Sequence, residues 1–132
     1  MYRSKKSSST PTLIKPLNVR EIIKAVQDEV IPFEKNLFRS EATLQASMSK
    51  LNQLWRVIRG GHYDHADPRV RVKLRETASM IATARWMYAS ALERKESLGM
   101  HQRDDYPSEN LHTPYRLLLN GVDEIQIAPV AP

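Results

Sequence analysis

Apolar residues recur at helical spacing in three separate stretches of the chain. Ile22, Ile23, Val26 and Val30 make the first stripe. Asn18 and Glu21 stand at N-cap and N3 spacing before it, so a helix starting at Asn18 with a capping box is expected. Pro32 stops or kinks that helix, and Phe33, Leu37 and Phe38 follow as an expected apolar anchor with Lys35 and Asn36 exposed between them. Leu44, Met48, Leu51, Trp55 and Ile58 form the second stripe, stepping by four, three, four and three residues along one helical face. Ser40 precedes that helix, Glu41 complements its dipole, and Gly60-Gly61 ends it.

The third stripe is the longest: Val70, Leu74, Ala78, Ile81, Tyr88 and Leu92. Asp67 is its expected N-cap, and Pro68 takes the first helical position, where a missing N–H costs nothing. Ala82, Ala84, Ala89 and Ala91 keep this helix slim enough to approach two neighbours. The pattern predicts an end near Gly99, about thirty residues and ~45 Å at the standard rise, so that the helix projects past a three-helix core. A proline-limited loop over 103–116 follows. The period then changes to alternation around Asn120-Gly121, a type I′ hairpin signal. The predicted fold is mainly α: a three-helix bundle with a long third helix, then a loop and a short C-terminal β-hairpin. Residues 1–17 read as a flexible basic arm and 18–132 as one domain.

Composition adds limits. The 132 residues are 41% hydrophobic and 27% charged, ordinary values for one soluble globular domain. No apolar run approaches the ~20 residues that span a bilayer, and the N-terminus predicts no secretory leader. The absence of cysteine excludes disulfides, thiol nucleophiles and Fe–S ligation by this chain, and fits a cytoplasmic location. Of the net charge of +5, four units sit on Arg3, Lys5, Lys6 and Lys15 in an acid-free stretch. The basic balance is therefore mostly a property of the arm, and weak support for nucleic-acid binding by the folded part.

No self-sufficient active site emerges. The four glycines, Gly60, Gly61, Gly99 and Gly121, form no G-x-G-x-x-G and no P-loop. His62-Tyr63-Asp64-His65 offers two imidazoles and a carboxylate to a metal, without a recognised zinc spacing; a polar loop is the simpler reading. Arg75, Arg85 and Trp86 read as surface with a Trp anchor, or as a partner interface. Arg56, Arg59, Arg69, Arg71 and Lys73 offer charge to nucleic acid, but no helix-turn-helix spacing or aromatic interleaving supports them. His101, Arg103, Asp104, Asp105 and Tyr106 carry acid–base groups in one contiguous turn. Catalytic constellations draw on separate elements, so Arg103 is expected to pair with a nearby carboxylate within the turn or across an interface.

The stretch from residue 84 to 107 is the most specific. It carries Ala84-Arg85, Glu93-Arg94-Lys95-Glu96-Ser97, Gly99-Met100-His101 and Arg103-Asp104-Asp105-Tyr106-Pro107. With Val30-Ile31-Pro32, Glu34-Lys35-Asn36, Phe38-Arg39-Ser40, Leu51 to Trp55 and Arg75-Glu76-Thr77-Ala78, it resembles the C-terminal helical domain of the flavoprotein subunit of succinate dehydrogenase and fumarate reductase. Fumarate-reductase-like and adenylylsulfate-reductase-like FAD proteins are included in the resemblance, which covers 18–107. One departure is Leu98, where the family carries arginine between the Ser and the Gly of the turn; an apolar side chain replaces a five-donor cation. The resemblance implies that FAD and the chemistry belong to preceding domains, so no catalytic, cofactor-binding or metal residue is carried over. It implies a partner, an FAD-binding flavoprotein subunit accompanied by an iron–sulfur or ferredoxin-like protein. The expected partner surface is Arg94, Glu96, His101, Arg103, Asp104 and Tyr106. The competing readings are a stand-alone helical binding module using the basic arm on nucleic acid or protein, and a small enzyme in its own right.

Overall fold

The computed structural model describes residues 18–61, 67–108 and 114–131. The element order is α1 (Val19–Val30), α2 (Phe33–Asn36), α3 (Glu41–Gly60), α4 (Pro68–Glu93), β1 (Arg116–Asn120) and β2 (Gln126–Val130). The fold is thus mainly α with a terminal hairpin, as the periodicities predict; α2 is a single extra turn. The basic arm and the His62-Tyr63-Asp64-His65 metal candidate lie outside the described residues.

Local chemistry sets the helix starts. The Asn18 side chain accepts from the amides of Arg20 and Glu21, at 3.1 and 3.4 Å. Ser40 and Thr43 form the reciprocal capping box, each side-chain oxygen accepting from the other's amide. Asp67 accepts from the Arg69 amide at 2.7 Å, with Pro68 next to it as expected. Each such cap stabilises its helix by ~1 kcal/mol. At the end of α3, Gly61 keeps an extended conformation with φ −76°, so its glycine character is not used for a left-handed cap.

The core lies between α1, α3 and α4. Ile22 and Val26 from α1, Leu44, Leu51 and Ile58 from α3, and Ile81, Ala84, Tyr88 and Ala91 from α4 form one buried cluster. Met48, Trp55, Val30, Ala78 and Leu92 pack against it, which places most of all three predicted stripes on the inside. α4 touches α1 and α3 together, and Ala82, Ala84, Ala89 and Ala91 are all buried. Their small side chains let two neighbours approach one helix. The Tyr88 hydroxyl donates to the Glu29 carbonyl and ties the later part of α4 to the end of α1.

Several expectations are corrected. First, the turn after α1 is inverted. Phe33 and Phe38 are exposed, whereas Lys35 reaches inward to the buried Glu29 carboxylate at 3.0 Å. Glu29 also accepts from Ser47 and Lys50. Burial would raise its pKa, but these bonds outweigh burial and hold it below the ordinary carboxylate value. An ionised, buried carboxylate with three donors draws the polar residues in and leaves the phenylalanines out.

Second, α4 ends at Glu93 rather than near Gly99, and Val70 at its start is exposed. Third, the hairpin is wider than a two-residue Asn-Gly turn. Its register pairs Asn120 with Gln126 and Arg116 with Val130, so residues 121–125 form the loop. Gly121 has φ +82°, and a Cβ there would stand 2.0 Å from the Glu124 carbonyl oxygen.

The loop is wide because it is held from outside. Asp123 accepts from Trp55 Nε1 and, through both oxygens, from Arg59, each at 2.9 Å. Trp86 Nε1 donates to the Gly121 carbonyl at 2.8 Å. Arg85, expected on the surface, is 5% exposed. Its Nε donates to Asn52 at 2.7 Å, and its other nitrogens donate to the carbonyls of Val122 and Asp123. Its guanidinium lies 5.2 Å from the Trp55 ring centroid. Arg85 and Trp86 thus fasten the hairpin loop to the helices.

Candidate functional site

The 94–108 turn begins where α4 stops. Arg94 leaves the helix with φ −81° and ψ 96°, which strands the last carbonyls of α4. Side chains further along the chain satisfy them. Arg103 Nη1 donates to the carbonyls of Ala91 and Leu92, at 3.1 and 3.0 Å. His101 Nε2 lies 2.9 Å from the Arg94 carbonyl. These bonds replace the next helical turn, which is why the periodicity overestimates the helix.

Arg103 is the organising residue, with 1% of its surface exposed. Besides capping α4, its fork grips Asp105 through two bonds of 2.9 and 2.6 Å. Asp105 Oδ2 also accepts from the Glu41 amide, the first residue of α3, at 2.9 Å. One ion pair therefore joins the C-terminus of α4 to the N-terminus of α3, positive charge at the first and negative at the second, as the helix dipoles favour. The Tyr106 ring covers the guanidinium, 4.9 Å from its centroid. Ser97 Oγ accepts from the Arg103 amide and donates to the Tyr106 carbonyl, at 2.8 and 2.7 Å.

The tip is the four-residue turn Leu98 to His101, closed by reciprocal amide–carbonyl bonds of 2.8 and 3.0 Å between its ends. Gly99 has φ +57° at its first central position, which glycine adopts without strain. The 37–40 linker anchors this tip. The Arg39 amide donates to the Gln102 carbonyl and the Asp104 amide to the Arg39 carbonyl. Arg39 Nη1 lies 2.9 Å from His101 Nδ1.

These contacts fix the histidine's protonation. A carbonyl only accepts and a guanidinium only donates. His101 is therefore neutral, with its proton on Nε2 and its Nδ1 lone pair on Arg39. Burial lowers its pKa; the Arg94 carbonyl opposes that, and the charges of Arg39, Arg103 and Arg94 reinforce it. Asp105 moves the same way for a different reason: the bonds from Arg103, then that from Glu41, hold it at about 2.

Of the residues expected at a partner surface, Arg94, Glu96, His101, Arg103 and Tyr106 are bound up within the turn. Arg94 pairs with Glu96 at 2.6 Å and lies 4.8 Å from the Tyr115 ring centroid, and Glu96 is buried. Asp104 is exposed. Sequence reasoning missed Arg39 as a member of this site and the exposed Leu98 and Met100 as its outer surface. Arg39 gives no local signal, because its partner is 62 residues away. Leu98, the departure from the family pattern, lies 48% exposed at the tip. No group of three or more metal-ligating side chains occurs among the described residues, and no described helix is long and apolar enough to cross a membrane.

In class, this is a mainly helical domain whose charged turn residues are folded into its own frame and which ends in a two-stranded hairpin. Residues 21–116, most of the chain, match the family described as "Fumarate reductase flavoprotein C-term". The chain belongs to that family. The match ends at the first residue of β1, so the hairpin lies beyond it. A comparison with curated proteins finds no match.

Proposed function

We propose that this chain is the non-catalytic C-terminal domain, or a separate small subunit, that packs on and completes a fumarate-reductase- or succinate-dehydrogenase-like FAD-dependent oxidoreductase in the cytoplasm. FAD and the redox chemistry reside in the partner, an FAD-binding flavoprotein region working with an iron–sulfur or ferredoxin-like protein. The observation that carries this reading is the apolar surface left on the two segments that meet at the Arg39–Arg103 bridge. Ile31, Phe33 and Phe38 on one, and Leu98 and Met100 on the other, are between 48% and 79% exposed in a domain of this family. Exposed large apolar side chains concentrated in this way mark interaction sites.

In this proposal the turn of Arg94, Glu96, His101, Arg103, Asp104 and Tyr106 docks on the flavoprotein. Its internal bonds make it rigid, Asp104 offers an outward charge, and Leu98, Met100 and Phe38 supply the apolar contact. Preorganised surfaces bind with less ordering cost. The test is copurification of the tagged chain from native extract, with Phe38→Ser/Met100→Ser beside the unaltered chain. A flavin-containing companion retained by the unaltered chain, and retained at least about tenfold less by the variant, is expected. Recovery of the chain alone, with normal flavoprotein activity after its deletion, overturns the proposal.

A further inference from the structure

A second feature lies in a different part of the molecule, between the later half of α3 and the first half of α4. Trp55, Ile58 and Arg59 on one side, and Arg71, Leu74, Arg75 and Ala78 on the other, line a cleft of ≈ 440 Å³. Its volume falls in the range of small-molecule sites. Trp55, Ile58, Leu74 and Ala78 make an apolar wall, and three arginines stand at the rim. Arg59 is engaged by Asp123. Arg71 and Arg75 make no side-chain hydrogen bond or ion pair with any described residue. They lie one turn apart on α4, so their heads are close enough to share one ligand. Among the described residues the acids nearby are already committed: Asp67 caps α4, Glu76 pairs with Lys73, and Asp123 holds Arg59 and Trp55.

We propose that this cleft binds a small organic phosphomonoester with a flat apolar body. Two unpaired guanidinium groups balance the nearly two negative charges of one phosphate head, and its three acceptor oxygens suit their planar forks. A carboxylate would leave one cation unmatched. The Trp55–Leu74 wall takes the apolar body. The site is independent of the 94–108 turn.

The test is titration of the full chain with phenyl phosphate, followed by calorimetry and by amide and indole NMR shifts. Saturable one-to-one binding is expected, with shifts at the Trp55 indole, Arg71 and Arg75. Inorganic phosphate and benzoate should each bind about tenfold more weakly. Arg71→Ala/Arg75→Ala, whose positions are exposed, should lose at least about tenfold in affinity, and Arg71→Lys/Arg75→Lys should fall between. Circular dichroism of the variants should be unchanged. The proposal is overturned by the absence of saturation, by equal affinity for inorganic phosphate, or by affinity that survives the double alanine change. It is also overturned if a phosphotyrosine peptide binds more than about tenfold tighter than phenyl phosphate, or if duplex DNA competes with a steep salt dependence. Those last two outcomes assign the cleft to a macromolecule.

Discussion

Arg103 shows how much one side chain can hold. Its guanidinium meets two helix carbonyls, a bidentate carboxylate and an aromatic face. Arg103→Ala strands the α4 carbonyls under the turn and leaves Asp105 to the Glu41 amide, and is expected to cost about 2–4 kcal/mol. Arg103→Lys, a point charge without the fork, should recover only part of that. Urea denaturation of both variants measures the difference, and a loss below about 1 kcal/mol for alanine would refute the role. His101 gives a pH signature. Its folded pKa lies below the 6.5 of a free imidazole, so the unfolded chain binds the proton more readily. Its contribution is complete above about 6.5 and falls as pH drops toward the folded value. His101→Gln keeps a donor for Arg94 and an acceptor for Arg39 without titrating. Its stability between pH 5 and 7 should vary less than that of the parent chain; an identical slope in the two proteins would rule His101 out as the source. The sequence announced that charges cluster in this turn. It did not announce which face inward, because Arg39 and Glu41 reach the turn from a distant segment.

At the level of elements, what was legible was local. Asn18, Ser40 and Asp67 mark the helix starts because a cap acts within three residues. The seams of α1, α3 and α4 follow from spacing alone. What failed depended on distant partners. Arg85 looked like surface because the carbonyls it binds belong to a loop more than thirty residues further on. Phe33 and Phe38 looked like core because nothing nearby revealed that Glu29 would collect Lys35, Ser47 and Lys50. The hairpin supplies the test at this scale. Asp123→Ala removes both Arg59 bonds and the Trp55 bond, so backbone amides of β1 and β2 should exchange at least about tenfold faster while those of α3 keep their protection. Gly121→Ala forces a Cβ against the Glu124 carbonyl at a positive φ. It should cost more than about 1 kcal/mol, read as a lower denaturation midpoint. An unchanged midpoint and unchanged strand protection would mean that the loop is not held as described.

Across the whole molecule, two clamps divide the work. The Arg103–Asp105 pair locks the end of α4 to the start of α3, and Arg85 with Arg59 and Asp123 locks the hairpin to the later halves of both helices. The proposed docking turn and the proposed phosphate cleft are separately built, so damage to one is expected to spare the other. Arg71→Ala/Arg75→Ala should leave copurification with a flavoprotein intact, and Phe38→Ser/Met100→Ser should leave phenyl phosphate affinity intact. Loss of both in either variant would point to a common folding defect. The hairpin clamp also makes the far end of the chain part of the helical core. Buried Arg85 takes two of its three hydrogen-bond acceptors from Val122 and Asp123 and the third from Asn52. A chain cut before Val122 therefore keeps every helix yet leaves most of a buried guanidinium unanswered.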